Sequence, residues 1–400
     1  MIKPGFSGFR FGLFVLTALI LALALASCSS RPSRDASRMT LQLPIRDPTL
    51  KVGTAEAPDA RIKEDIAFLE EATKKLLEGC IIKASDGTPL YTPDGKAHYA
   101  ALWTRDFASM VENAGDLMPK ENIEKCIDYL IKGIREDGAV PDRVQVDGHP
   151  VYAAGAPEIP LGEPNIDNAQ FLVFAVTSYL DMVRTDRQKF LYRKWSSQLQ
   201  KGMHYIPLAE SGLVWNNPAK PHSPYGFTDT VAKTGELFME SLLINSLWDD
   251  KTGMFFAASR DCRQTDIWAN AYAVYIGFPL GDKKDRIIDW LVNNFDRYVW
   301  KGQVRHLPKG EYWERQLMPV EKERYQNGAY WATPAGWVMR ALNERDPTLA
   351  RRMFRDLVED FRLSGICECI NVDYRQLASY VNSATNPLAA ARWVFSSRVY

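Results

Sequence analysis

The connections between the helical segments of this chain alternate in length, and that alternation limits the possible folds more than any other feature. Three stripes carry clear helical periodicity: Ile123, Ile127, Leu130, Ile131 and Ile134; Ile287, Ile288, Leu291, Val292 and Phe295; and Ala350, Met353, Phe354, Leu357, Val358 and Phe361. The third opens with Asp346-Pro347, a capping side chain followed by proline at the first helical position. Weaker patterns of the same period cover about 61–79, 104–117, 167–185, 187–206, 232–247, 265–277, 329–343 and 385–397. Short joins fall near 118–120, 186, 278–280 and 344–346, and long ones run over 80–103, 136–166, 207–231, 248–264, 296–328 and 363–384. Such an order makes helical hairpins whose long loops gather at one end, and long loops in a compact domain are usually functional. The predicted fold is therefore all-α, a ring of hairpins with a cleft at one end. Strand alternation is sparse, apart from a short hairpin near Met254–Ala258 after the turn-like Asp249-Asp250-Lys251-Thr252-Gly253. Only about one helix fits between Val231 and Trp248, which brings the expected count to eleven.

Five segments at the loop mouths carry residue types suited to sugar. Trp103-Thr104-Arg105-Asp106 starts the second helix. An adjacent arginine and aspartate hold sugar hydroxyls by donating and accepting, and the indole offers its face to a pyranose ring. The folding explanation is a helix start capped by Thr104 with a surface ion pair. Asn165-Ile166-Asp167-Asn168 opens the fourth helix, where N-capping accounts for Asp167 or Asn168 equally well. Tyr225-Gly226-Phe227-Thr228-Asp229-Thr230 precedes the sixth. A carboxyl among those aromatics suits a general acid, unless it is a cap or is held ionised by Lys233. In Tyr325-Gln326-Asn327-Gly328-Ala329-Tyr330-Trp331, amides read hydroxyls, Gly328 admits close backbone approach and aromatics form a platform. The alternative there is an Asn-Gly turn backed by core aromatics. In Gly365-Ile366-Cys367-Glu368-Cys369-Ile370-Asn371, Glu368 sits among residues that favour burial, and a buried charge needs a reason such as activating water. The alternative is a short strand with Glu368 and Ile370 on one side and both cysteines on the other.

These segments, in this order and spacing, resemble the six-hairpin glycosidases, which are (α/α)6 barrels. Trp103-Thr104-Arg105-Asp106 resembles the subsite −1 motif of glucoamylases. Tyr325-Gln326-Asn327-Gly328 with Tyr330-Trp331 resembles the Tyr-His-Asn-Gly segment of alkaline/neutral invertases. The resemblance covers roughly residues 60–400. It implies Asp229 as the catalytic acid and Glu368 as the base. It also implies Trp103, Arg105, Asp106, Asp167, Asn168, Tyr225, Gln326, Asn327 and Trp331 as sugar-binding residues, with no metal or organic cofactor. Two departures stand out: Cys369 and Ile370 replace the aromatics that follow the family's base, and one helix of a hairpin is contracted.

The N-terminus adds a location. Lys3 and Arg10 precede an apolar run from Phe11 to Ala26, then Leu25-Ala26-Ser27-Cys28. The run is a signal-peptide core rather than a membrane span, and its end resembles a bacterial lipobox. Cys28 would then take a diacylglyceryl group and become the first residue, giving a stable membrane anchor once several acyl chains are attached. Residues 1–27 read as the signal, 28–60 as a Ser/Arg/Pro-rich tether and 61–400 as one domain. Ser29 and Ser30 carry no acidic retention signal, which favours the outer membrane in a host that has one. The chain holds 49 basic and 49 acidic residues, which gives no case for nucleic acid. Without Cys28, five cysteines remain, an odd number best read as buried thiols, and Cys367-Glu368-Cys369 has no second ligand pair for zinc.

The expected activity is an exo-acting, inverting glycoside hydrolase of the bacterial cell envelope, with carbohydrate as its substrate. Glu311, Glu314 and Glu323 are rival bases. Two further readings are a non-catalytic glycan-binding lipoprotein on a degenerate barrel, and a uronide hydrolase or epimerase on the same fold. An epimerase would need a catalytic histidine, for which His222 is the nearest to a motif.

Overall fold

The computed structural model describes residues 60–96, 98–210, 214–222, 235–236, 247–258, 260, 262–278 and 280–395. Eleven α-helices lie among the described residues: α1 Ala60–Gly79, α2 Thr104–Ala114, α3 Lys120–Lys132, α4 Asn168–Asp181, α5 Thr185–His204, α6 Ile267–Tyr275, α7 Lys283–Asn293, the short α8 Phe295–Tyr298, α9 Ala335–Arg345, α10 Pro347–Ser364 and α11 Asn382–Phe395. Every residue of the stripe expected in α10 is buried, and Asp346 caps that helix by accepting from the Leu349 amide at 3.0 Å. In α3 the buried set is Ile123, Cys126, Ile127 and Leu130, and in α7 it is Ile287, Ile288 and Leu291. The helix expected at 232–247 lies outside the described residues apart from 235–236 and 247.

The helices divide into two layers. α4, α2, α11, α9 and α6 follow one another as inner helices, α4 against α2, α2 against α11, α11 against α9 and α9 against α6. Outer helices flank them, with α5 on α4, α10 and α7 on α9, and α1 on α11. Burial explains the division. All of Ile267–Val274 in α6 is buried, whereas α10 buries one stripe and leaves the rest to solvent. The inner helices approach closely at Gly336, where an added Cβ would lie 2.6 Å from the Asn386 carbonyl oxygen. The architecture is the expected all-α toroid of helical hairpins.

The long loops hold more strand than their sequence suggests. β1 Ala101–Trp103, β2 Arg143–Gln145 and β3 Pro150–Val151 form one antiparallel sheet. β4 Val299–Trp300, β5 Gln303–Val304, β6 Tyr330–Trp331, β7 Cys367–Asn371 and β8 Tyr374–Ala378 form a second, of five strands. Strands this short carry no readable alternation, and β6 finds its partner β7 far along the chain. For the same reason the helix expected from 329 begins only at Ala335. The expected hairpin is present: Met254–Phe255 pairs with Trp248–Asp249 across the turn. All five cysteines of the described residues are buried, and none of them is in a disulfide. No helix among the described residues is long and apolar enough to cross a membrane.

Candidate active site

The loops enclose a cleft of about 850 Å³ at the open end of the ring. Trp103, Arg105, Asp106, Gln326, Trp331 and Glu368 line it, so six of the expected site residues converge although they span most of the domain.

Trp103 ends β1 and Arg105 and Asp106 begin α2, so the strand-to-helix junction aims all three into the cleft. Thr104 does not cap the helix. Its hydroxyl donates to the Pro141 carbonyl at 2.6 Å and its amide to the Asp142 carbonyl at 2.9 Å, which fixes the junction to the loop before β2. The guanidinium of Arg143 lies 4.6 Å from the Trp103 ring centroid, and Tyr99 meets that ring edge-on at 5.3 Å. Arg105 is not a surface pair, since it donates to the buried Asp167 at 2.7 Å. Burial pushes the Asp167 carboxyl up to about 6, against the opposing pull of Arg105.

Asp106 accepts from the Tyr380 hydroxyl at 2.6 Å and from the Asn382 amide at 2.9 Å, both on Oδ1. Burial raises it to about 6, while Tyr380 and Arg105 pull the other way. Nearby Asp142 is held by Asn165 at 2.7 Å and Arg143 at 2.9 Å. Burial raises its pKa as well, opposed by Arg143 and Arg105. Three carboxylates thus surround one cleft arginine and keep its charge in place.

Glu368 sits on β7, with a side chain facing the cleft and only 1% of the residue exposed. Tyr99 donates its hydroxyl to Oε1 at 3.1 Å. The segment is a strand, as its folding explanation expects, and that strand presents the carboxylate to the cleft. Trp331 on β6 lies opposite Cys369, so an aromatic wall and the carboxylate share one hydrogen-bonded ladder. Trp331 meets Trp268 and Tyr325 edge-on at 5.6 and 5.0 Å.

Three expected sugar contacts take other places. Asp167 stands behind Arg105 and positions it. Asn168 is buried and donates to the Val140 carbonyl at 3.3 Å. Asn327 accepts from the Trp313 amide at 3.0 Å and donates to the Val320 carbonyl at 2.8 Å, folding its loop without lining the cleft. Asp229, Tyr225 and Cys28 lie outside the described residues.

The rival bases do not line the cleft. Glu311 faces Arg297 at 3.5 Å, and Glu314 is exposed. Glu323 is pushed up by burial, but hydrogen bonds from Tyr312 and Asn371 and the charge of Arg305 hold it below the usual range. His222 bonds through Nδ1 to the Pro164 carbonyl, away from the cleft.

Tyr99, Glu112, Trp268, Tyr272, Trp337, Tyr380, Asn382 and Asn386 also line the cleft and were not expected. Tyr380 and Asn382 satisfy the same criterion as the other segments, an aromatic and an amide at a helix mouth, once α11 is started at Asn382 instead of 385. Among the described residues, no group of three or more His, Cys, Asp or Glu side chains is placed to hold a metal ion.

No protein-family model and no curated protein matches this sequence. Solved structures do. The GH63 mannosylglycerate hydrolase from Thermus thermophilus, in complex with Tris and D-glycerate, is 15% identical with a TM-score of 0.53, covering 80% of this chain and 99% of that one. A rhamnosidase from Klebsiella oxytoca with rhamnose bound is 14% identical with a TM-score of 0.54, covering 86% of this chain and 66% of that one. A further glycosidase is 11% identical with a TM-score of 0.52, covering 84% of this chain and 98% of that one. The chain has the fold of these proteins, an (α/α)6 toroid.

Proposed function

We propose that this protein is a glycoside hydrolase of the bacterial cell envelope, lipid-anchored through Cys28, that cleaves sugars from chain ends with inversion. The observation that carries the proposal is Glu368, a buried carboxylate presented to an aromatic-walled cleft beside Arg105 and Asp106. Burying a carboxylate is costly unless it is bonded or put to use. Structures of the same fold include a mannosylglycerate hydrolase and a rhamnosidase, which agrees with this chemistry.

In this mechanism the sugar ring packs on Trp103 and Trp331. Arg105, oriented by Asp167, donates to its hydroxyls, and Asp106 accepts from them. Tyr99 fixes the plane of the Glu368 carboxylate through Oε1. Ionised Glu368 takes a proton from a water on the face opposite the leaving group, and protonated Asp229 gives a proton to the leaving oxygen. Inversion requires the two carboxyl groups to stand roughly 6.5–9.5 Å apart, which leaves room for the water between Glu368 and the anomeric carbon.

The test is incubation of residues 30–400 with a panel of oligosaccharides, following product anomers by proton NMR. The first product should carry the configuration opposite to the substrate. Initial retention would refute the mechanism, and binding with no release of reducing sugar would refute the hydrolase.

A further inference from the structure

The cleft does not end at Arg105 and Asp106. Arg105, Ser109 and Glu112 follow one another at spacings of four and three and all line it, so they form one stripe along α2. At the helical rise, Glu112 lies roughly 10 Å deeper along the ring axis than Arg105. Its carboxylate meets the Tyr275 hydroxyl at 3.4 Å, a long hydrogen bond. Arg340 places a positive charge that acts on this carboxylate, with its guanidinium over the rings of Tyr275 at 4.5 Å and Trp393 at 4.4 Å. Tyr272 and Trp337 line the same depth, with ring centroids 4.9 Å apart and planes at 65°. Burial lifts the Glu112 carboxyl to about 7, with Arg340 and Tyr275 opposing.

Ser109, Asn113 and Asn386, at this depth, are bonded to one another. Asn386 accepts from Ser109 at 2.6 Å and from Asn113 at 3.0 Å, and donates to the Thr333 carbonyl at 3.1 Å. They make a closed wall. Glu112 is different, because a carboxylate accepts about four hydrogen bonds and Tyr275 supplies one. A carboxyl on the inner face of a helical ring, beside two aromatic rings and open to the cleft, has the composition of a sugar subsite.

We propose that the deep end of the cleft around Glu112 is a second sugar compartment, taking the terminal ring of a chain whose next ring lies against Arg105 and Asp106. Tyr272 and Trp337 give it apolar walls, and Glu112 accepts from its hydroxyls. The inference rests on the sugar-cleaving reading above and adds to it the size of the unit removed. The product released from a chain end is a disaccharide, not a monosaccharide.

The test uses the full-length protein in detergent, carrying Glu368→Gln to stop turnover. Binding of glucose, mannose and rhamnose is compared with that of maltose, cellobiose and mannobiose by saturation-transfer NMR and calorimetry. Adding Glu112→Ala should weaken the preferred disaccharide about tenfold, the loss of one charged hydrogen bond, while monosaccharide affinity changes by less than about twofold. Glu112→Gln keeps the shape, and thermal melting checks that each variant is folded. Equal weakening of both classes, or of neither, overturns the inference while leaving the sugar cleft intact. Failure of every sugar to bind the Glu368→Gln protein sinks the cleft reading itself and the inference with it. In wild-type protein, a monosaccharide as the first product from a tetrasaccharide would also overturn the inference.

Discussion

Replacing Asp106 with asparagine separates what this residue does for folding from what it does for sugar. Both internal hydrogen bonds, from Tyr380 at 2.6 Å and Asn382 at 2.9 Å, land on Oδ1, so an asparagine oxygen in that place keeps them. The edge facing the cleft changes from acceptor to donor. Burial raises the folded-state pKa of Asp106 from 3.8 to about 6. A carboxyl raised on folding contributes stability that is complete below its unfolded pKa and is lost as pH rises through the folded value. The loss therefore falls between about pH 4 and pH 6 and totals about 3 kcal/mol, since a tenfold change in proton affinity is worth about 1.4 kcal/mol. Water in the cleft screens part of it, leaving about 1–3 kcal/mol. Asp106→Asn cannot ionise and keeps that stability. Urea unfolding of wild type and variant at half-unit steps from pH 4 to 8 should give a difference that shifts by this amount in the variant's favour between pH 4 and 7. Sugar binding should meanwhile fall. A stability difference that stays flat over the whole range would refute the burial argument.

Further outcomes follow from the same geometry. Glu368→Gln should lower kcat by about 10²–10⁴-fold with the melting temperature preserved, as expected for loss of a general base; a variant with wild-type turnover would remove Glu368 from the mechanism. Tyr99→Phe should lower kcat by about tenfold and leave KM nearly unchanged, because Tyr99 orients the carboxylate at 3.1 Å. Gly336→Ala places a Cβ 2.6 Å from the Asn386 carbonyl oxygen, and urea unfolding should show a loss of about 1–3 kcal/mol. Cys28→Ala should move the protein from the detergent phase to the aqueous phase in Triton X-114 partitioning, and retention in detergent would end the lipid-anchor proposal.

The outer architecture was legible because outer helices are amphipathic, and α10 shows each expected residue buried with its Asp346 cap in place. The candidate site was legible where cleft-lining residues also mark a local structural feature. Trp103, Arg105 and Asp106 mark a helix start, and Glu368 breaks an apolar run. It was not legible where a side chain works at a distance. Asp167 looks like a cap, but it makes no capping bond and its carboxylate holds Arg105 on the neighbouring helix. Asn327 looks like a sugar-reading amide but closes a loop through Trp313 and Val320. Tyr99 and Glu112 gave no signal, since each matters through a partner distant in sequence, Glu368 for one and Tyr275 for the other. The second sheet was invisible because its strands borrow their pairing from distant parts of the chain.

The pairing of Trp331 with Cys369 ties the cleft's position to a count of residues. A one-residue slip of β7 turns each of its side chains to the other face, so Glu368 would leave the cleft and lose its bond from Tyr99. Between Trp331 and Cys367 the chain runs through α9 and α10 before the ladder closes. A single residue gained or lost inside Cys367–Asn371 would disarm the protein while leaving its helical ring standing.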